Sequence, residues 1–349
     1  MMRSEFEFER PPGLEANAPP EVSGRPRDSV RLLSTGATGS THHHFRDLAE
    51  RLEPGDLVVV NESATLPASL PVRSADRDLL LNLCTRYGPN LWLAEPRWGP
   101  AAPGPVTLSA GSVLDARDAR FVAVAPYPGI ERLWFFRTVG DVREAMRTAG
   151  HPIRYGYVRE SFPLESYQTI FARVPGSAEM PSAGRPFSRR VVEQLRARGV
   201  GLATIVLHTG VSSLESEADG RAIPPVYPEP FEVPIETAGR IRATRCAGGR
   251  VVAVGTTVLR ALETAWRADG VVPLRGFTTL TIGPGRPIRS VDGMITGFHD
   301  PRTSHLALLF GFAGEERVRA AYAEAVRSRY LWHEFGDSHL IWRTNAIDS

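Results

Sequence analysis

The sequence predicts an α/β domain interrupted by a small all-β insertion. Continuous apolar runs such as Leu57-Val-Val-Val60 and Val251-Val-Ala-Val254 alternate with helical patterns in both halves of the chain. Runs of this kind suit strands buried on both faces. From about 70 to 150 the texture changes to short apolar runs separated by Pro/Gly turns, the spacing of an all-β unit. Insertions enter at loops whose ends lie close together, so the flanking pieces, 1–69 and 151–349, are expected to form one domain around an inserted 70–150.

The elements follow in order. Pro11 to Pro26 is rich in proline and glycine and reads as an extended lead-in. Val30-Arg-Leu-Leu33 is a short strand, Phe45–Leu52 has helical spacing, and Pro54-Gly-Asp56 is a turn opening the strand at Leu57. In the insertion, Leu79–Cys84, Asn90–Ala94, Arg120–Val124 and Arg132–Phe136 read as strands, broken by turns at Arg97–Pro105 and Pro126–Gly129. Ser188 caps a helix with Val191, Val192 and Leu195 on one face, and Gly199 stops it. Leu202–Leu207 and Val251–Val254 are strands. Thr257–Ala268 is an amphipathic helix with Val258, Leu262 and Ala265 inward. Phe277–Ile282 and Arg289–Thr296 are strands joined through Gly283-Pro-Gly285. Glu315–Arg329 is a helix, acidic at its start and basic at its end, with Val318, Tyr322, Ala325 and Val326 as its apolar stripe.

Composition excludes several classes of function. With 349 residues, 42% of them hydrophobic, the chain can bury a substantial core. No apolar run approaches a membrane span. Glu5, Glu7 and Glu9 stand where a secretory signal needs a basic start, so a cytoplasmic address is expected. Two cysteines, Cys84 and Cys246, make neither a disulfide framework nor a four-cysteine zinc site. All 41 basic residues are arginine. Without lysine, pyridoxal-phosphate enzymes, lysine aldolases and Walker-type nucleotidases are excluded. A net charge of +2 leaves any nucleic acid to a local arginine patch, such as Arg185, Arg189, Arg190, Arg196 and Arg198. The same run also suits a plain solvated face.

The sharpest local signal is Val251-Val-Ala-Val-Gly-Thr-Thr-Val-Leu-Arg260, a strand that meets Gly255 and then opens a helix. Thr256 and Thr257 suit the cap, the free N–H groups favour an anion, and Arg260 one turn in suits a carboxylate or phosphate. An ordinary capped βα turn carries the same residues. His208 and His299 both follow apolar strands, where open α/β sheets gather their sites. A structural histidine fits either place equally well. Pro181-Ser182-Ala183-Gly184 is small enough to wrap a ligand or simply to turn before the helix. No His-Glu-x-x-His is present, and His42-His-His44 cannot converge on one ion from an extended chain, so no metal is expected.

These pieces, in this order, resemble the S-adenosylmethionine:tRNA ribosyltransferase-isomerase family of queuosine biosynthesis. The similarity spans nearly the whole chain. It is carried by Pro26-Arg-Asp-Ser-Val-Arg-Leu-Leu33, Pro54-Gly-Asp-Leu57 with Asn61, and Tyr167-Gln-Thr169. Further matches are Pro181-Ser-Ala-Gly184 with Phe187, Leu207-His208 with Gly210, and Ala253-Val-Gly-Thr-Thr257 with Arg260 and Glu263. Phe298-His299 with Pro301, Phe312-Ala-Gly314 and Phe335-Gly-Asp337 complete the set.

The resemblance implies an α/β domain carrying an inserted β-barrel. It also implies transfer and isomerisation of the ribosyl group of S-adenosylmethionine onto a 7-aminomethyl-7-deazaguanine base of tRNA. The products are epoxyqueuosine-tRNA, adenine and methionine. S-adenosylmethionine is then a substrate, no permanently bound cofactor is implied, tRNA is the partner, and a monomer is expected. A base must take a proton beside the sulfonium, and His208, His299 and Asp337 are the candidates. Ser182, Ala183, Gly184, Gly210, Gly255, Thr256, Thr257, Arg260 and Glu263 would hold the donor, with Arg260 on the methionine carboxylate.

The chain departs from the family's pattern at five functional-looking positions. Glu62 stands for an asparagine, Ala64 and Ser69 for arginines, and Pro186 and Tyr227 for histidines. A paralogue acting on another amine acceptor, or a non-catalytic S-adenosylmethionine or RNA binder, is the alternative.

Overall fold

Strand β1 (Arg31–Gly36) contains most of the expected Val30–Leu33 run and turns into β2 (Gly39–His44). The computed structural model describes residues 8–75, 77–99, 102, 106–211, 227–301 and 303–343. A 3₁₀ segment over Phe45–Arg51 leads to β3 (Leu57–Asn61), buried along its whole length, and to β4 (Ser63–Thr65).

Six strands then close into a barrel: β5 (Ser69–Ser74), β6 (Arg77–Gly88), β7 (Leu91–Arg97), β8 (Val113–Asp115), β9 (Ala119–Tyr127) and β10 (Ile130–Gly140). Their spatial order is β10-β7-β6-β5-β8-β9. The all-β expectation holds through Gly140 and then gives way to helix α1 (Val142–Ala149). Asp141 starts it by accepting the N–H groups of Arg143 and Glu144.

After β11 (Val174–Ser177), which pairs with β4, helix α2 (Arg189–Ala197) has Ser188 as its cap, accepting from Val191 N–H. The rest of the chain supplies β12 (Gly201–Leu207), β13 (Glu229–Val233), α3 (Ile235–Cys246), β14 (Val251–Val254), α4 (Thr256–Thr264), β15 (Trp266–Arg267), β16 (Gly270–Val271) and β17 (Leu274–Thr278). It ends with β18 (Gly293–Gly297), α5 (Ser304–Ala313), α6 (Glu315–Arg327) and β19 (Ser338–Trp342).

The nine-stranded main sheet runs β17-β13-β12-β3-β14-β18-β19-β1-β2. Its centre, β12-β3-β14-β18, is parallel. The central strands divide their side chains by parity. Leu57, Val59, Val251 and Ala253 face a core shared with α3 to α6, while Val58, Val60, Val252 and Val254 face Phe45, Leu48, Phe187, Val191 and Leu195. Continuous apolar runs are therefore needed, because both faces are covered.

Several element boundaries differ from expectation, three of them in the stretch from α4 to β18. The helix expected over Thr257–Ala268 ends at Thr264, where the chain enters the β15–β16 hairpin. The strand expected over Phe277–Ile282 is Leu274–Thr278, since Thr278 Oγ1 takes the Leu280 N–H. The strand expected from Arg289 starts at Gly293, because Glu263 takes the N–H groups of Arg289 and Ser290. Gly283–Gly285 does not link neighbours either, since β13, β12, β3 and β14 lie between β17 and β18.

Candidate active site

A cavity of about 520 Å³ lies between the sheet and the barrel. Ser182 and the Gly297–Pro301 turn after β18 line it from the sheet. Arg97 of the barrel, the segment 152–157, Tyr167 and Glu179 line it from the other side, with His305, His333 and Glu334 completing it.

His299 and His305 form a stacked pair on this wall, with ring centroids 4.9 Å apart. His299 Nε2 lies 2.8 Å from Thr296 Oγ1, and its carbonyl accepts from Trp332 Nε1. Burial, reinforced by the neighbouring His305, holds the His299 imidazole well below its ordinary value. Burial, with the nearby Arg260 charge, pushes His305 down to about 4. Both rings are thus neutral at neutral pH.

The glycine-threonine turn and the small-residue segment meet each other. Ser182–Gly184 forms a 3₁₀ turn, and a Cβ on Gly255 would lie 3.3 Å from Ala183 Cβ. Gly255 also has φ of 93°, a conformation glycine adopts readily. It is the N-cap residue of α4 and brings no side-chain cap, so Thr256 and Thr257 do not cap the helix as expected.

Arg260 is partly committed. Its Nε donates to Leu280 O at 2.8 Å, Nη1 pairs with Glu229, and Nη2 is buried with no hydrogen-bond partner among the described residues. Glu229 in turn accepts the Gly210 N–H at 2.9 Å. Glu263 is held by the turn before β18: its Oε1 takes both backbone N–H groups and the hydroxyl at 289–290.

The other two proton-transfer candidates stand apart from this wall. His208 does not line the cavity; its Nδ1 is 2.7 Å from Ser63 Oγ, and burial lowers its pKa. Asp337 is bound at Oδ1 by the Arg31 N–H and at Oδ2 by the Arg31 guanidinium and the Leu331 N–H.

Of the departures, Ser69 is 6% exposed and exchanges backbone hydrogen bonds with His151. Ala64 is half-buried on β4, opposite Pro175. Pro186 is buried beside Arg185, whose guanidinium is itself sequestered against Ser166 O, Glu21 and the Phe335 ring. The run at 185–198 is therefore not a uniform solvated face, although Arg189, Arg196 and Arg198 are exposed. His42, His43 and His44 lie on the edge strand β2 with separate partners: Tyr330, Thr41 and Ser29.

Sequence reasoning missed half of the cavity. Tyr155 bonds Glu179, Tyr157 donates to Glu334 at 2.6 Å, and Tyr157 stacks on His333 with centroids 3.9 Å apart. Burial raises the Glu334 carboxyl above its ordinary value. His333 has φ of 74°, unusual for a residue with a side chain. The alternation of Tyr155 and Tyr157 was the one visible signal.

Among the described residues no helix is long and apolar enough to cross a membrane, and no group of three or more His, Cys, Asp or Glu is arranged to hold a metal ion. The family model described as "Queuosine biosynthesis protein" matches residues 3–341. S-adenosylmethionine:tRNA ribosyltransferase-isomerase of Anaeromyxobacter dehalogenans (strain 2CP-C) is 39% identical, with 98% of this chain and 100% of that protein covered. The protein of the same name from Thermotoga maritima is 35% identical, with 98% and 100% covered. The crystal structure of S-adenosylmethionine tRNA ribosyltransferase from Thermotoga maritima matches at 31% identity with a TM-score of 0.54, over 97% of this chain and 99% of that one. By its sequence along nearly its whole length and by its barrel-bearing fold, the chain belongs to the S-adenosylmethionine:tRNA ribosyltransferase-isomerase family.

Proposed function

We propose that this chain transfers and isomerises the ribosyl group of S-adenosylmethionine onto 7-aminomethyl-7-deazaguanine in tRNA, releasing adenine and methionine and leaving epoxyqueuosine. The observation that carries the reading is the neutral His299–His305 pair, held on the cavity wall near the charge of Arg260. A neutral imidazole is the form able to take the proton beside the sulfonium, and the ring of His305 makes no hydrogen bond to a described residue. We assign proton removal to this pair. Arg260 Nη2, buried and without a partner, is assigned to the methionine carboxylate, and the Ser182–Gly184 turn to the donor's cradle. Asp337 and Glu263 are assigned to positioning, since Oδ2 of the first and Oε1 of the second each hold several groups of the fold. The division into 1–69 with 151–349 and an inserted 70–150 accompanies this reading, as does a cytoplasmic site of action.

The test is incubation with S-adenosylmethionine and a tRNA bearing the aminomethyl base, following free adenine and the mass of the tRNA. Adenine release with a matching gain of mass on the tRNA is expected. A second reading, another amine acceptor, is favoured by Glu62 and Ala64 standing where the family carries asparagine and arginine. Adenine release only with a different amine would select it. S-adenosylmethionine binding without adenine release would leave a binding module.

A further inference from the structure

Behind His208 lies a short line of hydroxyl groups that no water reaches. Ser177 is 0% exposed and Ser63 1%. Ser177 Oγ receives the Thr209 N–H at 3.0 Å and lies 2.7 Å from Ser63 Oγ, which lies 2.7 Å from His208 Nδ1. Each hydroxyl has one hydrogen to give. If Ser177 donates to Ser63 and Ser63 donates to His208 Nδ1, every hydrogen is used. If His208 Nδ1–H donates to Ser63 instead, one of the two hydroxyl hydrogens, that of Ser63 or that of Ser177, is left buried with no acceptor among the described residues. Buried polar hydrogens are rarely left so.

We propose that the Thr209–Ser177–Ser63 relay holds His208 as the neutral tautomer protonated on Nε2, so that its outer ring nitrogen offers a hydrogen-bond donor and not a base. Ser63 and Ser177 are then positioning residues. The backbone sets the ring's place as well. The β4–β11 register is irregular between Pro175 and Ser177, and a Cβ on Gly176 would lie 2.7 Å from the imidazole Cγ. No described residue bonds Nε2, and burial keeps the ring uncharged. Proton removal is thereby left to the His299–His305 pair. The donor role rests on the ribosyltransferase reading, whereas the tautomer rests on these distances alone.

The experiment is long-range ¹H–¹⁵N correlation on the full chain labelled at its nine histidines, with His208 assigned by its loss in His208→Gln. A pyridine-type Nδ1 and a pyrrole-type Nε2 are expected in the parent and in Ser63→Thr. Ser63→Ala, which removes the hydrogen given to Nδ1, should raise the share of the Nδ1–H tautomer, whereas Ser177→Ala, in which Ser63 still donates, should keep the parent's tautomer. An Nδ1–H tautomer in the parent, or no change in Ser63→Ala, overturns the proposal. In the adenine-release assay Ser63→Ala should lower kcat by about 5–10-fold with KM little changed, the scale of one neutral hydrogen bond, and Ser63→Thr should restore most of it. An equal loss in Ser63→Thr would mean packing rather than a relay and would also overturn it. If the parent releases no adenine, the functional reading fails while the spectra still decide the tautomer.

Discussion

Gly210 and Tyr227 occupy each other's space: a Cβ on Gly210 would lie 2.6 Å from Cε2 and 2.7 Å from Cζ of the tyrosine. Tyr227, which stands where the resemblance puts a histidine, is buried and gives its hydroxyl hydrogen to Val211 O at 2.8 Å. The tyrosine has thus become part of the packing between barrel and sheet, and it needs a residue without a side chain opposite. Gly210→Ala is expected to destabilise by about 1–3 kcal/mol, the cost of overpacking. In Gly210→Ala/Tyr227→Ala the clash is gone, so the double variant should lose less than the sum of the singles. Urea unfolding of the four proteins checks it; strict additivity would show that the two residues do not meet.

The strands at Leu57–Val60 and Val251–Val254 were legible because burial on both faces demands unbroken apolar runs. The barrel was legible through its turns. The helix α5 was not: Leu306 to Ala313 is apolar on every side, and with no polar face there is no helical period to read. The site divides in the same way. His299 and Arg260 follow strand ends and could be named, whereas His305, Glu179 and Glu334 reach the cavity only by the crossing of distant segments. Asp337 could be named from the resemblance, whereas its pairing with Arg31 of β1 depends on the fold and could not.

The Arg260–Glu229 pair is mostly buried, with side-chain exposures of 14% and 7%. Removing one partner leaves a buried charge uncompensated, at a cost of about 3–5 kcal/mol, whereas removing both is far milder. Arg260→Met should therefore be much less stable than Arg260→Met/Glu229→Met. If Nη2 holds the methionine carboxylate, both variants should also lose S-adenosylmethionine affinity, by about 1.5–3 kcal/mol. Calorimetry on the stable double variant separates the effects; unchanged affinity there would remove Arg260 from the donor site.

Two buried histidines make folding sensitive to acid. His305 sits at about 4 and His339, bonded to Thr35 Oγ1 and stacked on Phe298, at about 3, both lowered by burial from 6.5. Between those values and 6.5 the unfolded chain binds protons that the folded chain refuses, so stability rises with pH there. Their contribution is complete above 6.5 and is lost as pH falls toward 4 and 3. Each group adds a slope of up to about 1.4 kcal/mol per pH unit. Urea midpoints at pH 7.5, 6 and 5 should fall steadily, and His339→Asn should flatten the trend. A midpoint independent of pH would contradict the neutral burial of both rings.

The two positions at which the family carries arginine have different surroundings, and tRNA binding should reveal it. Ser69 is 6% exposed and tied through its backbone to His151, so an arginine there has to displace packed barrel residues. Ala64 is half-buried on the short strand β4, next to Glu62. An arginine at 64 has a route to solvent and offsets the neighbouring acid. Each phosphate contact adds about 0.7–0.9 to the slope of log affinity against log salt. Ala64→Arg should therefore tighten tRNA binding at low salt and steepen that slope by about one contact, without loss of stability. Ser69→Arg should lower the unfolding midpoint and leave the slope of the folded fraction unchanged. Titrations at several salt concentrations distinguish the two variants. A steeper slope from Ser69→Arg in a stable protein would mean that the barrel entrance, rather than the β4 edge, faces the RNA.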